Sequence, residues 1–404
     1  MGVWQRLSRL QPVIARVLSA AVFAGIAAPA FAQGSFQTIA PQAILMDAET
    51  RAVLFEKNPD QLNAPASMTK VMTAEVVFRE LKGGRLTMDR EFTVSENAWR
   101  KGGAGSGGSA MFAKVHTPIR VEDLLRGLVI QSGNDAAITF AEGIAGTEEN
   151  FARIMNDRAR EIGLTHSTFR NSTGYGDPDQ KVTVRDLAKL ALYVIETYPD
   201  YYKIYGEREF TWNKIRQQNR NPLLFMDIGA DGLKTGNIEE SGYGLIGSAV
   251  QNGQRLIVVV NGLKTAKDRA SEARKLLDWG FRSFESRQFF ASTDVVGDAQ
   301  VFGGQSRSVP LMAYKPVRVL MPKGESDRMV ARIIYDGPLM APVAKGAQVG
   351  RLQIMRGDVT ALETPLYAGE DVGVGSLRQR ALDGLLEVST GWMRRAFASV
   401  ADRI

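Results

Sequence analysis

The sequence predicts an α+β protein: one antiparallel sheet covered by helices, followed by a small β-sandwich and a C-terminal amphipathic helix. Three observations carry this reading. Strand-like runs lie at both ends of the stretch 43–263, with helix-period segments between them. From 294 to 367 only short apolar runs remain, separated by glycine and proline turns. Residues 376–404 then carry an apolar stripe at helical spacing with arginines opposite.

Residues 1–32 read as a secretory signal peptide. Arg6, Arg9 and Arg16 make a basic start, Val17 to Ala28 is apolar but short for a membrane span, and Ala30-Phe31-Ala32 is a small-residue cleavage site before Gln33. Export of the mature chain follows. Loss of the three arginines takes Lys+Arg from 50 to 47 against 44 acidic residues, a net charge of +3, too small and too scattered for nucleic-acid binding. The 404 residues include no cysteine, so no disulfide framework supports the exported chain, which must be held by core burial. That length also sets an expectation of two domains. The boundaries expected are 33–286 for the first, 287–375 for the second and 376–404 for the tail.

Ala43–Met46 and Val53–Phe55 flank Ala48-Glu49-Thr50 as a hairpin. Pro65 is suited to opening a helix, since its missing N–H would have no partner there. Met68, Val71, Met72, Val76 and Leu81 then recur at helical spacing until Gly83-Gly84. Glu91–Val94 is a short strand, and Gly102 to Ser109 a glycine-rich mobile loop; no strand leads into it and no G-K-[ST] closes it, so it is not read as a phosphate cradle. Val121–Val129 is a helix that breaks at Gln131-Ser132-Gly133, and Asn134 starts the next. Phe151, Ile154, Met155 and Ile162 mark a helix ending at Gly163, and Val184–Thr197 another, whereas the aromatics of Tyr201–Trp212 show no clear period. Tyr243–Ala249 and Arg255–Leu263 form a hairpin through Asn252-Gly253, and Lys267–Phe281 closes the domain as a helix. The sandwich strands expected are Ala299–Phe302, Val317–Met321, Val330–Tyr335, Val349–Ile354 and Thr360–Tyr367. In the tail, Leu377, Ala381, Leu385, Val388 and Trp392 form one row, with charges too frequent to span a bilayer. A helix of this kind packs on its own domain, on a partner, or on a membrane surface.

Three strings carry the chemistry: Ser67-Met68-Thr69-Lys70, Ser132-Gly133-Asn134 and Lys234-Thr235-Gly236. Residues three apart share a helix face, so the Lys70 amine can reach the Ser67 hydroxyl. A serine is a weak nucleophile without an adjacent base. The chain has no cysteine and only two histidines, His116 and His166, neither in a motif nor beside a candidate nucleophile, which leaves lysine as the economical base. To serve near neutrality Lys70 must fall from a free pKa of about 10.4 to roughly 7–8, on the order of 4 kcal/mol of preference for the neutral amine. Burial and a nearby cation shift it that way, and Lys234 is the cation expected. Singly, the strings have bland readings: a helix start, a polar turn, a strand end. S-x-N also occurs at Ser95-Glu96-Asn97, which sits only at a strand end and is rejected. Their joint occurrence in this order is specific.

The set resembles the serine penicillin-recognising superfamily. More closely, the chain is similar to low-molecular-weight penicillin-binding proteins of D-alanyl-D-alanine carboxypeptidase type. The likeness rests on A-P-A-S-M-T-K-V-M-T from Ala64, I-Q-S-G-N-D-A-A from Ile130, D-G-L-K-T-G from Asp231, E-A-R-K-L-L-D-W-G from Glu272 and Y-D-G-P-L-M-A-P-V from Tyr335. It implies a β-lactamase/transpeptidase-like first domain that removes the terminal D-alanine from peptidoglycan pentapeptide stems. Ser67 would be the nucleophile, Lys70 its base and Ser132 a proton relay to the leaving amine. Asn134 would bind the peptide amide of the acyl donor, Lys234 and Thr235 the substrate carboxylate, and Gly236 would let the substrate backbone approach. Backbone N–H groups of Ser67 and Asn237 would form the oxyanion hole. No metal, nucleotide or other cofactor is implied. β-Lactams would acylate Ser67 and stay bound.

The tail helix would hold the exported protein on the outer face of the cytoplasmic membrane, arginines toward anionic lipid. Two departures stand out. Asn237 follows K-T-G where the family often has histidine. Glu161-Ile162-Gly163-Leu164-Thr165 nearly matches the E-x-x-L-N of class A β-lactamases, but Thr165 replaces the asparagine and Glu161 reads as a solvated helix-end charge. Other readings are a D,D-endopeptidase acting on cross-links, a β-lactamase, and a non-catalytic wall binder; the extra domain and missing E-x-x-L-N weigh against the second, and the intact nucleophile and base against the third.

Overall fold

The computed structural model describes residues 36–323, 329–356, 359–381 and 383. The expected leader 1–32 and nearly all of the expected tail helix lie outside the described residues. In chain order, β1 (Gln42–Asp47) and β2 (Val53–Lys57) form the expected hairpin. A 3₁₀ turn at Ala66–Thr69 leads into α1 (Lys70–Lys82). The α-helix therefore begins at Lys70 and not at Pro65 as the sequence suggested, because Ala66 has φ +49°, outside the helical region. There follow β3 (Glu91–Thr93), β4 (Pro118–Arg120), α2 (Val121–Val129), α3 (Asn134–Ala145), α4 (Glu148–Ile162), α5 (Val184–Thr197) and α6 (Pro199–Tyr202). The hairpin of β5 (Glu209–Trp212) and β6 (Ile215–Gln218) comes next. Then β7 (Ala230–Ile238), β8 (Gly242–Gln251), β9 (Gln254–Leu263) and α7 (Ala266–Ser283) complete the domain. Thr147, Thr183 and Thr265 start α4, α5 and α7, each accepting the N–H three residues on, which satisfies a donor the helix leaves open.

Strands pair antiparallel in the order β2-β1-β9-β8-β7, leaving β7 at an edge. Both faces of the sheet are buried. Ile257 and Val259 pack with Met72, Val76 and Leu128 from α1 and α2, while Leu256, Val258 and Val260 pack with Leu276 and Leu277 of α7. Alternate residues of one strand thus feed two cores, and the run of apolar residues follows from that.

The second unit starts with β10 (Phe284–Phe290), which continues from α7 without a loop and pairs with β13 (Val317–Pro322). Between them lie β11 (Val295–Phe302) and β12 (Ser308–Met312); afterwards come β14 (Met329–Ile334), β15 (Leu339–Met340), β16 (Gln348–Arg356) and β17 (Val359–Ala368). A six-stranded sheet, β14-β16-β17-β12-β11-β15, faces the β10-β13 pair across Val301, Val309, Leu311, Val317, Val319 and Leu352. Residues 377–381 are helical, and Asp383 accepts from Gly303 N at 3.0 Å, so the described start of the tail sits on this unit.

Candidate active site

Ser67 lies on the 3₁₀ turn, one turn before the first residue of α1, and is partly exposed. Lys70 opens α1 with 1 % exposure. Its Nζ is 2.9 Å from Ser67 Oγ, and it donates to Asn134 Oδ1 at 2.7 Å and to the Thr173 carbonyl at 2.6 Å. A neutral amine has two N–H bonds and one lone pair. Asn134 Oδ1 and Thr173 O can only accept, so they take both N–H bonds and the lone pair faces the serine hydroxyl. Burial pushes the Lys70 pKa down to about 7, opposed by the Asp135 carboxylate and helped by the Arg220 guanidinium. Arg220 is a helping cation the sequence did not suggest, and Lys234, the cation it did suggest, acts in the same direction, since its charge and that of Lys70 repel each other. Burial drives Lys234 itself well below an ordinary lysine value, with Lys70, Arg220 and Arg269 adding to the shift.

Asn134 is the first residue of α3 and is 4 % exposed. Its backbone N–H donates to Ser109 O at 2.8 Å, and its Nδ2 to the Tyr175 hydroxyl at 2.9 Å. Beside it, buried Asp135 accepts from the backbone N–H groups of Met111, Ala113 and Ala136, while burial raises its pKa. Of the glycine-rich stretch expected as a loop near the site, Gly102 and Gly103 are buried, the first against the start of α3, while residues 104–108 are exposed. A Cβ on Gly102 would lie 2.4 Å from Asp135 N, a close approach only glycine permits. Ser132 is 2 % exposed and adopts φ +60° between α2 and α3, and Lys70 makes its three contacts without it. Arg220 reaches the same segment, donating Nε to Gln131 O at 3.1 Å.

The edge strand β7 brings the third string to the turn. Lys234 and Thr235 are 2 % and 6 % exposed; among the described residues Lys234 Nζ has one hydrogen-bond partner, Thr235 O at 3.2 Å. A Cβ on Gly236 would lie 2.9 Å from Pro65 O, 3.1 Å from Met68 Cγ and 3.2 Å from Ala66 Cβ. Its bare backbone therefore accommodates the nucleophile turn. Gly174 does the same from another side: φ is +85° and a Cβ would fall 1.8 Å from Ala66 O. Asn237, next along β7, is exposed and pairs with Tyr243 of β8.

The rejected Ser95-Glu96-Asn97 is a structural turn, with Ser95 Oγ accepting from Ala98 N and Asn97 donating to Glu142. Glu161 is half exposed at the end of α4 and pairs with Arg158, which also binds Glu75. Among the described residues no group of three or more His, Cys, Asp or Glu is placed to hold a metal ion. The sequence reading missed Thr173, Gly174, Tyr175 and Arg220. A signal was available in Asn171-Ser172-Thr173-Gly174-Tyr175-Gly176, a polar turn with paired glycines.

Comparison with known proteins gives matches to two family models, D-alanyl-D-alanine carboxypeptidase over residues 29–265 and penicillin-binding protein 5, C-terminal domain, over 284–374. D-alanyl-D-alanine carboxypeptidase DacA of Haemophilus influenzae is 37% identical over 353 residues, covering 87% of this chain and 89% of its own. DacC of Escherichia coli is 38% identical over 358 residues, covering 88% and 90%. The crystal structure of penicillin binding protein 5 from Haemophilus influenzae superposes with a TM-score of 0.76 at 38% identity, over 84% of this chain and 99% of that one. With Ser67 and Lys70 in contact beside the Lys234 strand, and with both family models matched in order, the chain belongs to the D-alanyl-D-alanine carboxypeptidase family of serine peptidases.

Proposed function

We propose that this protein is a serine-type carboxypeptidase that removes the terminal D-alanine from peptidoglycan pentapeptide stems through an acyl-enzyme on Ser67. The observation that carries the reading is the buried Lys70 amine 2.9 Å from Ser67 Oγ, its pKa pushed down by burial to about 7 so that the neutral, proton-accepting form is within reach near neutrality. Lys70 takes the hydroxyl proton as Oγ attacks the D-Ala-D-Ala carbonyl carbon. Backbone N–H groups of Ser67 and Asn237 receive the developing oxyanion, each donor worth about 10²–10³ in rate. The proton passes through Ser132 to the amine of the departing D-alanine, and water then releases the shortened stem. Asn134 retains an N–H for the peptide amide of the acyl donor.

Lys234 explains the preference for a free C-terminus. A buried amine with one carbonyl partner is poorly compensated, and a carboxylate arriving beside it and the Thr235 hydroxyl restores the charged form. In this reading the first domain serves catalysis, the second, which begins with β10 at Phe284 rather than at the expected 287, is a spacer, and 376–404 attach the protein to the membrane surface after export. No helix among the described residues is long and apolar enough to cross a membrane. β-Lactams, as strained amide mimics, acylate the same oxygen. Incubation with a defined pentapeptide and with a cross-linked muropeptide tests this: D-alanine release from the first, absent in Ser67→Ala, is expected. Cleavage of the cross-link alone would overturn it in favour of an endopeptidase.

A further inference from the structure

Tyr175 is exposed at the rim of the site, 36 % accessible, yet its hydroxyl is engaged on the inner side. It donates to the Lys101 carbonyl at 2.6 Å, the shortest of its contacts. Ser106 Oγ, 3.5 Å away, spends its own hydrogen on Gly103 O at 2.8 Å. The phenol has a single hydrogen, and a backbone carbonyl can never donate. With that hydrogen committed to Lys101, the Tyr175 oxygen can only accept from Asn134, so the amide nitrogen faces Tyr175 and Oδ1 faces Lys70. That orientation in turn occupies one Lys70 N–H, and Thr173 O occupies the other. The chain of donors therefore runs in one direction, from the Ser67 hydroxyl through Lys70, Asn134 and Tyr175 to the Lys101 carbonyl.

We infer that Tyr175 is a positioning residue for catalysis: through Asn134 its hydroxyl fixes the direction of the hydrogen-bond chain that aims the Lys70 lone pair at Ser67. The inference rests on the proposed acylation of Ser67. Thr173 Oγ1 accepts from Tyr175 N at 3.1 Å and Asn171 Nδ2 donates to Tyr175 O at 3.1 Å, so the ring is held from the same loop that supplies the Thr173 carbonyl. The glycine stretch is what allows the approach: a Cβ on Gly108 would lie 2.7 Å from Asn134 Nδ2 and 3.0 Å from the Tyr175 hydroxyl.

Without the hydroxyl, the Asn134 amide is free to turn over and present Nδ2 to Lys70. The lone pair then accepts from asparagine instead of serine, and protonated Lys70 loses one of its acceptors. The charged groups acting on Lys70 are Asp135 at the start of α3, Arg220 before β7 and Lys234 on β7, and none of them changes in this substitution. The test is the second-order acylation rate by a fluorescent penicillin against pH for wild type, Tyr175→Phe, Asn134→Ala and the double variant, with thermal melts to verify folding. Tyr175→Phe should acylate roughly tenfold more slowly, the scale of one hydrogen bond, with its acidic limb moved to lower pH. The double variant should react like Asn134→Ala alone. A Tyr175→Phe profile equal to wild type overturns the inference. So does an acidic limb moved upward, which marks water entering a loosened site, or a further tenfold loss in the double variant. Failure of the underlying acylation reading is separate: wild type and Ser67→Ala would then label equally.

Discussion

Lys70 is buried among neutral partners, the Ser67 hydroxyl, the Asn134 amide and the Thr173 carbonyl, and this sets its chemistry. A buried amine without a carboxylate in contact favours its neutral form, the form that accepts a proton. Below the lowered pKa of about 7 the amine is charged and cannot act as base; above it the rate reaches a plateau. Asn134→Asp would place a carboxylate where Oδ1 now sits, 2.7 Å from Nζ. The opposite charge should raise the Lys70 pKa by about 1–3 units and carry the acidic limb of acylation upward with it, readable in a pH–rate profile. An unmoved limb would mean that another group sets the profile. Lys234→Ala should weaken carboxypeptidase turnover chiefly through KM, since it removes the group proposed to meet the substrate carboxylate; a change in kcat alone would assign it to proton transfer.

Among the elements, the nucleophile turn is held by bare backbone from two directions. Gly174→Ala would drive a methyl into Ala66 O at an already left-handed φ, and Gly236→Ala would crowd Pro65 O less severely. Both should lower the acylation rate, Gly174→Ala by more, and each should lower the melting temperature; equal, wild-type rates would show the turn is not fixed by these contacts. Behind α1, Glu75 is fully buried and bound by Arg158, with Tyr198 donating at 3.1 Å. Arg158→Ala leaves that carboxylate without its cation, which costs about 3–5 kcal/mol and a melting-temperature drop on the order of 10 °C.

Much of this level was legible. Periodicity located α2, α5 and α7, and Asn252-Gly253 located the β8–β9 turn, because local geometry dictates each. The β5–β6 hairpin was not legible, since its turn is Asn213-Lys214, both at positive φ, without the glycine that signals such turns. The contacts of Gly174, Tyr175 and Arg220 were hidden for another reason: they exist only once distant segments meet, and no local pattern encodes that meeting. The same limit explains Gly236, whose closeness to Pro65 and Ala66 no local pattern encodes.

At the scale of the whole molecule, the base is assembled from the 66–69 turn, α1, the start of α3, the 171–175 loop and the edge strand β7, so the site reports on the fold of the first domain. The second unit has its own core and shares none of these residues. Leu352→Ala, at a fully buried position there, should cost about 2–5 kcal/mol while leaving the acylation rate of the folded protein unchanged; a slowed rate would tie the sandwich to the site. The central claim is that a neutral lysine inside this assembly activates Ser67. The most direct measurement is the acylation rate by a labelled penicillin from pH 5 to pH 10, with the modified residue located by mass spectrometry. The account expects the label on Ser67 and a rate that climbs through about pH 7 to a plateau. A label on another residue, or a rate that climbs only near the free-lysine pKa of about 10.4, would contradict it.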